Sequence, residues 1–177
     1  MGLVRFFRAV ILVMRVGEDA VVRDGLTGLY RREEALRLGS KAIRRSLKKG
    51  SRTSVIMIDL DDLKEVNDSK GHDEGDILLK KMGSLIIGAC RKKIGERETD
   101  ISGGYGGDEF IIILPGSSED GAEAFIGRLK EGSTSAGLEF SYGIASVRPG
   151  VNFGAAISMA DEAMYRDKRL RKNGGDL

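Results

Sequence analysis

Residues 103–114 read GGYGGDEFIIIL: two glycine pairs, then Asp108 and Glu109, then an apolar run. Glycines this closely spaced make a tight turn and the run from Phe110 to Leu114 has strand character, so the stretch reads as a hairpin tip bearing carboxylates. Well upstream, Val55, Ile56, Met57 and Ile58 stop at Asp59, with Asp61 and Asp62 close behind. Four apolar residues bounded by polar ones are too short for a helix of their own and read as a buried strand. Two such strands side by side would crowd their terminal acids, and either a proton or a hard cation relieves that repulsion. Mg²⁺ takes oxygen ligands and commonly shares one or two carboxylates with substrate phosphates, which suits Asp59, Asp108 and the carbonyl of Leu60; Mn²⁺ suits the same donors.

Working outward from these two strands, Leu36, Ile43 and Leu47 recur at helical spacing among Arg and Lys, and Gly50-Ser51 closes that first helix. Between Asp61 and Gly75 the text is dense in Asp, Asn, Lys and Gly, which predicts a short helix and a loop. A longer helix follows, with Leu78, Met82, Leu85 and Ala89 as its stripe. Ala122, Phe125, Ile126 and Leu129 mark another helix. The strand LEFSYGIA occupies 138–145, and a last helix runs over 153–171 with Ala156, Met159, Ala160, Ala163 and Met164 inward. The order is helix, strand, helices, hairpin, helix, strand, helix. That order predicts an α/β (α+β) domain, a mixed sheet with an antiparallel hairpin and helices on its faces.

The 177 residues, 41% apolar and 32% charged, suffice for one domain, taken as residues 23–177 behind a leader at 1–22. With 29 basic and 27 acidic side chains, the net charge of +2 gives no general electrostatic grip on nucleic acid but leaves room for a small anionic ligand. Cys90 is the lone cysteine, which excludes an internal disulfide and a thiolate metal site and points to a reducing, cytoplasmic setting. The leader is apolar but carries Arg5, Arg8 and Arg15, and spanning a bilayer takes about 20 apolar residues. It reads instead as a link to an upstream sensor, a tether to the inner face of a membrane, or a linker packing on its own domain or on a second copy.

Five blocks, DGLTGL at 24–29, MIDLDDLKEVNDSKGHDEGD at 57–76, GGYGGDEF at 103–110, SYGIA at 141–145 and ADEAMYRDK at 160–168, stand in the order and near the spacings of the GGDEF family, the diguanylate cyclases. The resemblance extends over residues 24–173, nearly the whole chain. It implies a fold similar to the palm of nucleotidyl cyclases and polymerases, with a central sheet of about five strands. It also implies condensation of two GTP molecules into cyclic di-GMP and two pyrophosphates across a homodimer. On the matching positions, Asp59, Asp108 and the Leu60 carbonyl would hold the metal, Lys64 would contact the β/γ-phosphates, and Glu109 would orient that Lys. Asn67 and Asp76 would read the guanine edge; an acceptor-only carboxylate suits the guanine N1–H and amine. Lys168 and Lys172 would bind the triphosphate from one helix face, Lys172 standing where the family commonly has Arg.

An inhibitory site for cyclic di-GMP is implied at Arg97 and Asp100, supported by Arg128, although the stretch from Asp76 to Gly106 is longer than usual for the family. Two further positions depart from its pattern. Gly104 stands where the family usually has Arg, and Arg31 where it usually has Asn. Gly104 makes the competing function a catalytically weak or inactive module that binds GTP or cyclic di-GMP as a receptor.

Overall fold

The computed structural model describes residues 22–91, 99–148 and 150–174. In chain order the elements are α1 (Arg32–Lys48), β1 (Thr53–Leu60), α2 (Leu63–Lys70), α3 (His72–Ala89), β2 (Ile101–Gly104), β3 (Glu109–Pro115), α4 (Glu119–Ala136), β4 (Phe140–Val147) and α5 (Phe153–Gly174). The strands form one sheet in the order β2-β3-β1-β4, every neighbour antiparallel. β1 is buried along its whole length because both sheet faces are covered, which is why its apolar residues run continuously rather than alternating.

Strand periodicity sorts those residues into two cores. Ile56, Ile58, Phe110, Ile112 and Leu114 pack with Met82 and Ile86 of α3 and with Phe125, Ile126 and Leu129 of α4. The alternate set, Val55, Met57, Ile111 and Ile113, packs with Ala35 and Ile43 of α1 and with Ala156, Ala160 and Met164 of α5. Gly143 lets β4 lie directly on α5: a Cβ there would run into the backbone of Ala160 and Met164.

The expected architecture is present, with three local differences. The sheet has four strands among the described residues rather than about five and is antiparallel rather than mixed; beside its β2 edge the chain makes only single bridges, Arg23 with Tyr30 and, in parallel sense, Tyr30 with Gly103. The expected loop before Gly75 is largely helical. Gly71, at φ +91°, is the one residue between α2 and α3, so the polar text belongs to two helices that meet at a sharp corner. On α5, Met159 is half exposed instead of inward, and the buried stripe is Ala156, Ala160 and Met164.

Candidate active site

Antiparallel pairing brings the C-terminal end of β1 to the start of β3. Asp59 lies opposite Glu109 on one side and opposite Ser141 on the other. The Leu60 N–H donates to the Asp108 carbonyl at 3.0 Å, which fixes the backbone around all three expected metal donors. The glycine tip closes on itself: the amides of Tyr105 and Gly106 both donate to the Glu109 carbonyl, at 2.8 and 3.2 Å. A Cβ at Gly106 would meet the Glu109 carboxylate, so glycine lets that carboxylate lie against the tip.

α5 lays cations over this acidic end. Lys168 Nζ is 2.6 Å from Asp59 Oδ1, and one turn further on Arg171 reaches Asp61 at 3.5 Å and Glu139 at 3.4 Å. Asp61 also accepts from the Ser141 hydroxyl at 2.9 Å. Burial pushes the Asp59 carboxyl above its ordinary range; the hydrogen bond and charge of Lys168 oppose this, and the Asp108 charge adds to it. For Lys168, burial works downward, but its bond to Asp59 and the charges of Asp59, Asp61 and Asp108 together raise it. Glu109 is pushed up by burial and then by Asp108, Asp59 and Asp161, with Arg32 opposing. The two strand ends thus lie side by side with their acids, as their apolar runs suggested.

Hard-cation chemistry fits the donors present. They are all oxygen, and the Lys168 ammonium already sits on Asp59 where a cation would. Among the described residues no three His, Cys, Asp or Glu side chains converge, so two carboxylates and the Leu60 carbonyl would leave the remaining positions to water and phosphate. That is the usual division of ligands for Mg²⁺.

Several expected residues lie apart from this cluster. Lys64 is exposed on α2, and among the described residues it makes no ion pair with Glu109. Asn67 and Asp76 flank the α2–α3 corner; the Asn67 side chain lies against Gly75, where a Cβ would strike its Oδ1. Lys172 is exposed on α5, yet its charge is felt at Asp59. Of the expected product-site residues, Arg97 falls outside the described residues. Asp100 is buried and filled by Arg91, whose backbone N–H, Nε and Nη2 donate to it at 2.7, 3.0 and 2.7 Å. Arg128 donates to the carbonyls of Ala124 and Ala89 at 3.1 and 3.3 Å. The sequence reading missed Arg91, Asp61 and Arg171. Asp61 carried a signal in its place two residues beyond Asp59; Arg91 did not, because its bond to Asp100 spans the connection between α3 and β2.

A cavity of about 290 Å³ opens beside the glycine tip, lined by Asp24, Tyr30, Arg31, Arg32, Leu79 and residues 104–107, among others. It lies between the starts of α1 and α3, within one helical turn of Asp76 along the chain at Leu79.

A sheet ending in paired acids next to a glycine tip, with cations overhead, is the arrangement of a nucleotidyl cyclase fold. The chain belongs to the diguanylate cyclase, GGDEF domain, family, which matches residues 21–174. Its relatives include diguanylate cyclase DosC of Escherichia coli K12, 32% identical over 176 residues covering 94% of this chain and 37% of DosC. Another is diguanylate cyclase DgcP of Pseudomonas aeruginosa PAO1, 30% identical over 159 residues, covering 85% of this chain and 23% of DgcP. The chain therefore spans well under half the length of these relatives. Among solved structures, P. aeruginosa diguanylate cyclase SiaD, crystallised with its activator SiaC, superposes with a TM-score of 0.80 at 27% identity, covering 93% of this chain and 65% of that one. A sensory box/GGDEF family protein of Caulobacter crescentus CB15 gives 0.72 at 31% identity, covering 84% and 98%.

Proposed function

We propose that this chain is an active diguanylate cyclase domain, condensing two GTP into cyclic di-GMP and two pyrophosphates between two copies of itself. The observation that carries this reading is the meeting of Asp59, Asp108, Glu109 and the Lys168 ammonium at one end of the sheet beside the glycine-tip cavity. In each half-reaction a 3′-hydroxyl oxygen bonds to the α-phosphorus of the facing nucleotide, the bond to the β-phosphate oxygen breaks, and pyrophosphate leaves with the electron pair. Asp59 and Asp108 with the Leu60 carbonyl would hold Mg²⁺, which supplies stabilisation of charge building on the α-phosphate.

The protein's own groups do the rest. Lys168 exchanges Asp59 for a phosphate oxygen, and Lys64 and Lys172 add charge along the triphosphate. Glu109, at the start of β3 beside Asp108, is assigned to orienting Lys64 against the phosphates. Asn67 and Asp76 at the α2–α3 corner select guanine. Each protomer presents one half of the centre, so the reaction needs an antiparallel dimer. Residues 1–22 are read as the link that brings two copies together under an upstream sensor, a reading supported by relatives several-fold longer than the chain they match. Among the described residues no helix is long and apolar enough to cross a membrane.

The test is incubation of the protein with GTP and Mg²⁺, with products identified by mass spectrometry beside an Asp108→Ala control. Cyclic di-GMP from the unmodified protein alone is expected. One observation favours a second reading, a nucleotide-binding receptor module: Gly104 offers the cavity no side chain. Undiminished GTP binding with no product at concentrations where the dimer is confirmed would replace the cyclase with that module.

A further inference from the structure

The two departures noted at Gly104 and Arg31 lie far apart in sequence but line the same cavity, together with Arg32. Gly104 leaves its part of the wall bare: a Cβ built on it would meet nothing within 4 Å. The cavity's positive charge comes instead from the start of α1. Arg31 anchors its Nε on the Arg23 carbonyl at 3.3 Å; burial pushes the Asp24 carboxyl up, and the Thr27 and Leu26 bonds together with the charge of Arg31 bring it below its ordinary range. Arg32 lies with its guanidinium carbon 4.1 Å above the centre of the Tyr105 ring, at the glycine tip itself. Among the described residues neither guanidinium makes an ion pair, and both are exposed, so each keeps donors free.

The backbone makes this placement rigid. The Tyr30 N–H donates to Ser102 O at 3.0 Å and the Gly104 N–H to Tyr30 O at 2.9 Å, stitching the approach to α1 onto β2. Gly103 admits that approach, since a Cβ there would run into the Ala35 side chain. Two adjacent guanidiniums stand at the mouth of a cavity, next to a tip carrying Asp108 and Glu109; Asp24 and Glu109 feel their charge, but neither acid closes an ion pair with them among the described residues. Their chemistry calls for an anionic group arriving from outside, and a nucleoside triphosphate in this cavity provides one.

We infer that Arg31 and Arg32 are substrate-positioning residues that hold the phosphates of the bound nucleotide, supplying from α1 the cationic wall that β2 lacks at Gly104. The inference deepens the cyclase reading and rests on its substrate being a guanine nucleotide. A cation–π contact orients Arg32 without neutralising it, so the guanidinium edge stays available to phosphate oxygens. Gly104 itself does not have a positive φ, so an arginine can be built there without backbone strain.

The test measures binding rather than turnover, using 3′-deoxy-GTP, which lacks the attacking hydroxyl, and guanosine, which lacks phosphate. For Arg31→Asn/Arg32→Met, affinity for 3′-deoxy-GTP should fall about tenfold while affinity for guanosine stays within about twofold. The Lys pair, Arg31→Lys/Arg32→Lys, should keep most of the affinity. Adding Gly104→Arg to the Asn/Met variant should recover about threefold or more of what was lost. Equal losses for both ligands, or unchanged 3′-deoxy-GTP binding with the melting temperature intact, would overturn the assignment. A protein that makes no cyclic di-GMP yet shows the phosphate-selective loss would sink the cyclase reading and leave this one standing.

Discussion

Lys168 is held by the same carboxylate that is proposed to hold the metal. Its Nζ lies 2.6 Å from Asp59 Oδ1, and the charges of Asp108 and Lys172 act on Asp59 in opposite directions. A divalent cation entering alone must displace an ammonium that burial has made hard to replace with water. Metal arriving with a triphosphate meets less resistance, because the phosphate offers Lys168 a new partner. Lys168→Met should therefore raise Mn²⁺ affinity in the absence of nucleotide by roughly tenfold at neutral pH, read by titration calorimetry. The sign of the pH effect follows from the same pair. Lys168 is raised above its unfolded value, so its contribution to stability is fully present below that value and is lost as alkaline pH passes the folded one. Asp59 is raised as well, so ionising it costs stability as pH climbs through the acid range, and the variant without Lys168 should lose more there. Equal Mn²⁺ affinity in the two proteins would show that the ammonium does not compete for the site.

Among the elements, β1 and β3 were legible from their apolar runs and terminal acids, and α4 from its spacing. Both strands are buried on two faces, which makes their text unambiguous. α2 was legible as a short helix, but the start of α3 was not, because its residues are polar and one glycine, Gly71, replaces the loop that such composition suggests. The acids at the strand ends, proposed as metal donors, could be read in order along the chain. The cations of α5 could not be assigned partners that way, because Lys168 and Asp59 meet only through the packing of α5 on the sheet. The connection between α3 and β2 shows the same limit. Arg91, just past the end of α3, closes on Asp100 just before β2 and also donates to Pro115 O at the end of β3 at 3.2 Å, so one side chain ties three elements. Asp100 is buried and takes its partners from Arg91, so Arg91→Met strips the buried carboxylate of its guanidinium and leaves it only the backbone N–H of that residue. A loss of about 3 kcal/mol in chemical denaturation is expected, with much of it recovered in Arg91→Met/Asp100→Asn. A single variant as stable as the parent would mean that the pair is a surface ornament. The same bond bears on regulation: any ligand that uses Asp100 must first draw Arg91 away.

At the scale of the whole molecule, the acids, the glycine tip and the cavity share one end of the sheet, and that end is open at its surface. On the proposed cyclase reading, one protomer holds one nucleotide and has no second nucleotide facing the first. Cyclic di-GMP has two identical phosphodiester links, and the symmetric way to make them is for two copies to meet with the acidic ends apposed, each hydroxyl attacking across the interface. Mass action then dictates how the rate depends on dilution. Below the dimer dissociation constant, the amount of dimer falls with the square of protein concentration, so halving the protein should cut the rate about fourfold rather than twofold. Joining two copies through an N-terminal dimeric helix in place of residues 1–22 should restore simple proportionality, because the partner is then always present. Mixing in excess Asp108→Ala protein should depress the rate of the unmodified protein by drawing it into mixed dimers in which one half-site lacks its acid. A rate that stays proportional to concentration down to the lowest measurable amounts, and that ignores the added variant, would place both half-reactions on a single protomer and remove the dimer from the mechanism.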